Sequence, residues 1–185
     1  PADQTIVARH LATHSPGLPA GSATQIIFRP EDFARDYARR LQGFGLRSQV
    51  RVFERLTAQD LAANLVEIAG KIAVNESVVV CCEPTIRLPT NAGVGGRAGW
   101  VALQASQFLP DDIALLCGAT DGIDGSSPGA GACISRDLVS RLSPKDIQRA
   151  LTNCNDAPLH AQLGTLLSTG PTGLNFTDIY VVGRS

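Results

Sequence analysis

The chain contains no methionine, a single tryptophan and only 5% aromatic residues over 185 positions. It has no surplus of either charge: 16 Lys and Arg face 17 Asp and Glu, a formal net charge of −1. A dedicated nucleic-acid binder carries a basic stripe, so this balance argues against one. No apolar run approaches a membrane span, and the first residues lack the basic-then-apolar pattern of a signal peptide. The five cysteines include no pair with metal-ligand spacing, and two of them, Cys81 and Cys82, are adjacent. Cys81, Cys117 and Cys133 fall in or beside apolar segments, where cysteine packs as a small hydrophobe. These features predict reduced thiols and a cytoplasmic protein. Pro1 is compatible with removal of an initiator methionine, and it leaves open whether the chain is a whole gene product or a piece of one.

What is present is a globular composition, 44% apolar and 18% charged, long enough for one domain with a proper core. Residues 1–22 read as an N-terminal helix and linker. Ile6, Val7 and Leu11 have helical spacing over Gln4 to His14, and Ser15-Pro-Gly-Leu-Pro-Ala-Gly-Ser22 breaks it. His10 and His14 share a helical face, but a zinc site needs three or four ligands and no third is nearby. They are read as surface histidines.

Residues 23–185 read as one α/β domain. Thr24 to Phe28 is rich in strand formers. Pro30, Glu31 and Asp32 then open a helix to about Gln42, with Phe33, Tyr37 and Leu41 on one stripe. Arg47 to Glu54 alternates as a strand. Thr57-Ala-Gln-Asp60 caps a helix that continues to about Val74, with Leu61, Leu65, Ile68 and Ile72 spaced for burial. Val78-Val-Val80 is apolar on both sides and so predicts a central strand. This alternation predicts a layered α/β fold: a mostly parallel or mixed sheet with helices on both faces.

From residue 82 onward the pattern becomes loops rich in Gly, Asp, Asn and Thr. Pro84 and Pro89 confine Cys82 to Thr90 to an edge strand or an extended loop. Asn91-Ala-Gly-Val-Gly-Gly-Arg97 precedes a helix over Ala98 to Leu109. Such a turn either enters the helix or holds an anion on backbone N–H groups, with Arg97 adding a bidentate donor. Asp112 to Leu116 is a short buried strand that ends in Cys117-Gly-Ala-Thr-Asp-Gly-Ile-Asp-Gly-Ser-Ser-Pro128. Gly122 and Gly125 permit unusual backbone angles, and Asp121 and Asp124 lie three apart beside Thr120. Ligands in open α/β sheets bind at the carboxyl ends of strands, whereas aspartates in tight turns commonly bond their own backbone. Both readings stay open. Short helices follow over Arg136 to Leu142, Pro144 to Leu151 and Ala157 to Leu163, then a brief strand at Leu166-Leu-Ser168. Thr169-Gly-Pro-Thr-Gly-Leu-Asn-Phe-Thr-Asp178 leads into a closing strand, Ile179 to Val182. This loop carries more polar side chains than a plain hairpin needs.

Taken in order, Gly95-Gly96-Arg97, Thr120-Asp-Gly-Ile-Asp-Gly125, Asn155-Asp156 and Gly170-Pro-Thr-Gly173 with Asn175 and Asp178 resemble the MOFRL domain. That domain is the C-terminal part of the two-domain glycerate 2-kinases, also labelled hydroxypyruvate reductases. The resemblance runs from about residue 22 to the end, with 74–185 as the MOFRL core. It implies ATP-dependent phosphorylation of D-glycerate with magnesium, in a cleft between two α/β domains. On that resemblance Asp121 and Asp124 are the catalytic or metal-binding candidates. Arg97, Thr120, Thr172, Asn175, Asp178 and Glu83 are the substrate- or nucleotide-binding candidates. Phosphoryl transfer needs positioning and charge neutralisation, which carboxylates and polar loops supply.

Two departures qualify the resemblance. The family continues Gly-Gly-Arg with Asn-Gln-Glu, and here Ala98, Gly99 and Trp100 stand instead. A Gly-Gly-Glu-Thr-Thr run appears as Cys81-Cys-Glu-Pro-Thr85, keeping Glu83 and Thr85 but losing two glycines and the close backbone approach they allow. The N-terminal kinase domain is absent from these residues, so the chain is expected to be incomplete as a catalyst alone. Its partners are then a glycerate-like acid and a nucleotide, with a separate N-terminal kinase domain or a second copy completing the cleft. The alternative is a stand-alone, non-catalytic relative that binds a small ligand or partner.

Overall fold

A computed structural model describes residues 28–184. The N-terminal helix, the histidine pair and most of the first expected strand lie outside the described residues. Among those described, the elements in chain order are α1 (Pro30–Gln42), β1 (Arg47–Val52), α2 (Ala58–Ala69), β2 (Glu76–Cys81), α3 (Arg97–Ser106) and β3 (Ile113–Ala119). Then come β4 (Gly131–Ser135), α4 (Arg136–Val139), α5 (Pro144–Thr152), α6 (Ala157–Leu163), β5 (Leu166–Leu167) and β6 (Asp178–Arg184). None of these helices is long and apolar enough to cross a membrane.

Local chemistry accounts for the helix ends. Thr57 caps α2, its Oγ1 accepting from the Asp60 amide at 3.1 Å. Pro30 opens α1, with Glu31 and Asp32 in its first turn and Arg39 and Arg40 in its last, as the macrodipole favours. α2 stops at Gly70 rather than near Val74. Arg184 from the last strand reaches its end, donating to the carbonyls of Ile72 at 2.8 Å and Ala69 at 3.3 Å. The turn into β2 then passes through Asn75 in a left-handed conformation, φ 61°. No helical period predicts that stop, because a side chain over a hundred residues away supplies part of it.

The six strands form one sheet in the order β1-β2-β6-β3-β4-β5. β1 and β2 pair in parallel, and every other neighbouring pair is antiparallel. The sheet is therefore mixed. The alternating strands β1, β2 and β3 do run in one direction, but β6 returns antiparallel between β2 and β3. Its sequence permits this: Asp178–Tyr180 and Val182 are buried, as a strand covered on both faces requires. The closing strand of the chain is thus central to the sheet.

Two cores flank it. On one face Val78 and Val80 of β2, Leu115 and Cys117 of β3, and Tyr180 and Val182 of β6 pack under α2 and α3, with Leu61, Leu65 and Leu103 fully buried. On the other, Val79, Cys81 and Ile179 meet Ala34 and Ala38 of α1, edged by Phe33, Tyr37 and Leu41. The alternation along β2 and β6 sends neighbouring residues to opposite cores. Cys133 departs from expectation: it is exposed on β4, while Cys81, Cys82, Cys117 and Cys154 are buried.

Since β6 bridges the two halves of the sheet, a chain ending at Thr177 should lose cooperative folding. Thermal unfolding followed by far-UV circular dichroism and by the fluorescence of the single tryptophan is expected to show no sigmoidal transition. A retained transition would mean that the two halves fold without it.

Candidate functional site

The strand directions gather the Gly, Asp and Thr loops at one end of the sheet. The carboxyl ends of β2 and β3 and the amino end of β6 lie together, so segments 82–96, 120–130 and 168–177 become neighbours. They interlock through the backbone. Ser126 N–H donates to Gly95 O at 2.9 Å, and Thr172 N–H donates to Asp121 O at 2.9 Å. Thr172 Oγ1 donates to Thr120 O at 2.6 Å. Thr120 Oγ1 donates to Thr177 O at 2.8 Å and accepts from the amides of Phe176 and Thr177. Gly122, at φ +85°, lies against the carbonyl of Gly170 where any side chain would collide.

Beneath these loops lies the first turn of α3. Asp124 is 3% exposed and accepts from Ala98 N–H at 3.0 Å and Gly99 N–H at 2.8 Å. It therefore satisfies two of the amides a helix start leaves without partners. Asp156, at the start of α6, is 1% exposed and presses on the same turn. Side chains at Gly95 or Gly99 would overlap its carboxylate, and one at Gly96 would overlap Asp124. Among the described residues neither Asp156 oxygen has a partner in full hydrogen-bond geometry, although the amides of Asp156 and Gly96 lie close. Burial pushes its carboxyl up to about 7; Asp124 adds to the rise, and its own amide and that of Gly96 offset part of it. Asp124 is also raised by burial, against which the Gly99 and Ala98 amides and Arg97 act.

Arg97 links this turn to β6. Its Nε faces Asp178 Oδ2 at 3.4 Å, and its NH1 and NH2 both reach Glu83 Oε1 at 3.2 Å. Asp178 is buried, and Tyr180 donates its hydroxyl to it at 3.4 Å. Burial raises the Asp178 carboxyl to about 7; Arg97 opposes the rise, and Asp124 and Glu83 favour it. A cavity of about 430 Å³ opens beside Arg97, lined by Gly95, Gly96, Ser126, Leu88 and Cys154 among others.

The expected site residues therefore divide. Arg97, Glu83 and Asp178 form one charged cluster, with Asp124 beneath it. Thr120 and Thr172 tie loops to one another, and Asn175 is exposed on the outer loop. Asp121 serves its own turn, its Oδ1 accepting from Ile123 N–H at 3.0 Å. The turn reading thus describes Asp121, and Asp124 caps a helix instead. A magnesium ion takes one or two carboxylates plus substrate oxygens. Asp124 spends both carboxylate oxygens on the amides that start α3, whereas Asp121 engages Oδ1 alone within its own turn.

The departing residues have structural explanations. Trp100 is a core residue, its Nε1 donating to Leu151 O at 2.9 Å. Gly99 makes room for Asp156 and its carbonyl meets His160 Nε2 at 2.9 Å. His160 is fully buried, and burial lowers its pKa. Neither Asp156 nor His160 is among the site residues expected from the sequence. Asn155-Asp156 stands within the motif series and so carried a signal for Asp156; nothing in the sequence marks His160.

Fold and site together define an α/β domain that presents an interlocked, glycine-lined polar surface at one sheet end. The MOFRL family model matches residues 76–178, more than half of the chain, and the chain belongs to that family. It is 38% identical over 111 residues to a glycerate kinase of Mus musculus, covering 54% of this chain and 21% of the relative. It is 32% identical over 102 residues to a glycerate 2-kinase of Pyrococcus horikoshii, covering 54% and 23%. The aligned stretch thus spans about a fifth of those relatives. The crystal structure of a glycerate kinase from Thermotoga maritima superimposes with a TM-score of 0.79 at 20% identity, covering 87% of this chain and 42% of that one. A Pyrococcus horikoshii protein structure gives 0.79 at 23%, covering 98% and 45%. The shared fold thus extends well beyond residues 76–178.

The buried carboxyls set a pH dependence. Asp156 and Asp178 titrate near 7 when folded and near the ordinary carboxylate value when unfolded. Their contribution to stability is therefore full below about pH 4 and is lost as pH rises through 7. The melting temperature should fall between pH 5 and pH 8, and Asp156→Asn should flatten that fall. A melting temperature that rises over this interval would contradict it. Gly96→Ala, which forces a methyl against Asp124, should destabilise the fold by about 1–3 kcal/mol in urea unfolding, the usual cost of overpacking.

Proposed function

We propose that this chain is the C-terminal domain of a glycerate 2-kinase-like protein and supplies one wall of a cleft for ATP and glycerate. The observation that carries this reading is the convergence of Gly95-Gly96-Arg97, the 120–125 loop and the 170–178 loop at one sheet end, within a MOFRL domain that spans a fifth of its glycerate kinase relatives. The domain runs from about residue 23 to the end. The breadth of the structural match supports a domain larger than the MOFRL segment.

Within the cleft, Arg97 binds the anionic part of the ligand. Asn175 and the Thr172 loop supply further polar contacts to it. Asp121 and Asp124 hold the loops that carry these groups, and Asp178 holds Arg97. Phosphoryl transfer depends on positioning and charge stabilisation, so a rigid loop framework around one guanidinium is a useful half-site. Leu88, Val94 and Leu174 are exposed on these same loops, as is Ile123. Exposed apolar groups around a polar site mark a surface built to be covered, here by the other domain of the cleft.

Alone, the chain should not convert glycerate. Calorimetric titration should still detect Mg·ADP or D-glycerate, and Arg97→Ala should weaken that binding about tenfold or more, ~1.4 kcal/mol. If neither ligand binds, or if Arg97→Ala leaves binding unchanged, the half-site reading fails. A stand-alone binding relative is the reading left if glycerate or nucleotide binds but no added N-terminal kinase domain brings turnover.

A further inference from the structure

Arg97 is held at its two ends by partners of different character. The Nε end faces Asp178, whose side chain is 5% exposed and is itself met by the Tyr180 hydroxyl. The forked end faces Glu83, whose side chain is 66% exposed. NH1 and NH2 both donate to a single oxygen, Oε1, at 3.2 Å, and NH1 also reaches Pro84 O at 3.4 Å. A guanidinium fork is shaped for two oxygens of one anion, through parallel bonds of about 2.7–2.9 Å. Here the fork is under-used: one shared oxygen at longer range, on a side chain mostly in water. Such exposed pairs hold weakly.

The pair also stands between two cavities. Arg97 lines the one of about 430 Å³ together with Gly95, Gly96 and Ser126. Glu83 lines another of about 680 Å³, with Arg29, Arg55, Phe176 and Thr177 on its walls. Moving Glu83 outward therefore clears the forked face of Arg97 without disturbing the buried Asp178 contact.

We propose that Glu83 is an internal placeholder: between binding events its carboxylate occupies the seat on Arg97 that a ligand's carboxylate or phosphate takes, and it turns out to solvent when the ligand binds. Asp178 stays in place throughout and fixes the direction of the fork. With Glu83 seated, both ends of the Arg97 guanidinium have a partner, so an arriving anion must displace one already in place. With Glu83 gone, one opposing group remains. Glu83 thus weakens the hold of an anion on Arg97 by about the strength of one exposed ion pair. This inference rests on the reading of Arg97 as a ligand-binding residue.

The test is titration of the full chain with inorganic phosphate and, separately, with D-glycerate, for the parent, Glu83→Gln, Glu83→Ala and Arg97→Ala. Glu83 is exposed, so its variants should keep the parent melting curve. Both Glu83 variants are expected to bind roughly twofold to fivefold more tightly than the parent, the span of an exposed ion pair, and Arg97→Ala to remove binding. Unchanged or weaker binding in the Glu83 variants overturns the proposal. So does binding that survives Arg97→Ala, or no anion binding by any form. The kinase reading has a separate readout, turnover of ATP and glycerate with an N-terminal kinase domain added. Tighter anion binding without that turnover leaves the placeholder and removes the kinase; turnover without tighter binding does the reverse.

Discussion

Two buried carboxylates against the first turn of α3 are the constraint on which the rest of this structure depends. Asp124 and Asp156 come from different loops and close on the same few glycines. The helix start welcomes negative charge, because its free amides and dipole are positive there. Two carboxylates that close together cannot both be ionised cheaply in a dry interior, so a proton is retained near neutrality. Gly95, Gly96 and Gly99 leave no side-chain volume in this space. The absence of side chains there is what allows the loops from β3 and α6 to meet over the helix.

That closure fixes the position of Arg97, which begins the helix. Its guanidinium points toward the amino end of β6, where Asp178 is buried and waiting. The cation therefore sits in the middle of an acidic surround: Glu83, Asp178 and, below, Asp124. An anion bound at Arg97 would compete with that surround. The threonines contribute differently. Thr120 and Thr172 spend their hydroxyls on carbonyls and amides of adjacent loops. Their hydroxyls join the loops to one another, while Asn175 stays exposed on the outer loop.

Much of the local structure was legible in the sequence. Pro30 with Glu31 and Asp32, Thr57 as a cap, and the apolar run at Val78 each act through neighbours within a turn or a strand. The motif series Gly-Gly-Arg, Thr-Asp-Gly-Ile-Asp-Gly and Gly-Pro-Thr-Gly pointed to the family, and residues 76–178 bear that out. Less legible were the partners of charged groups. Nothing local shows that Asp124 leaves its turn for Ala98 and Gly99 while Asp121 keeps to it. The end of α2 was misplaced by a few residues because Arg184, far away in the chain, meets its last carbonyls. Cys133 looked like core because its strand is apolar, and β4 happens to turn that position outward.

The sequence by itself determined which segments are strands, helices and loops, and which loops carry glycine, carboxylate and guanidinium. Those properties follow from periodicity, capping and backbone freedom, all of which act over short distances. The tertiary structure decided that β6 enters the sheet between β2 and β3, and so which loops meet. It also decided that Arg97 lies between a buried and an exposed carboxylate, and that Asp156 loses its water. Strand order and burial arise from the packing of residues distant in the chain, and the charge state of a carboxylate depends on what that packing leaves around it.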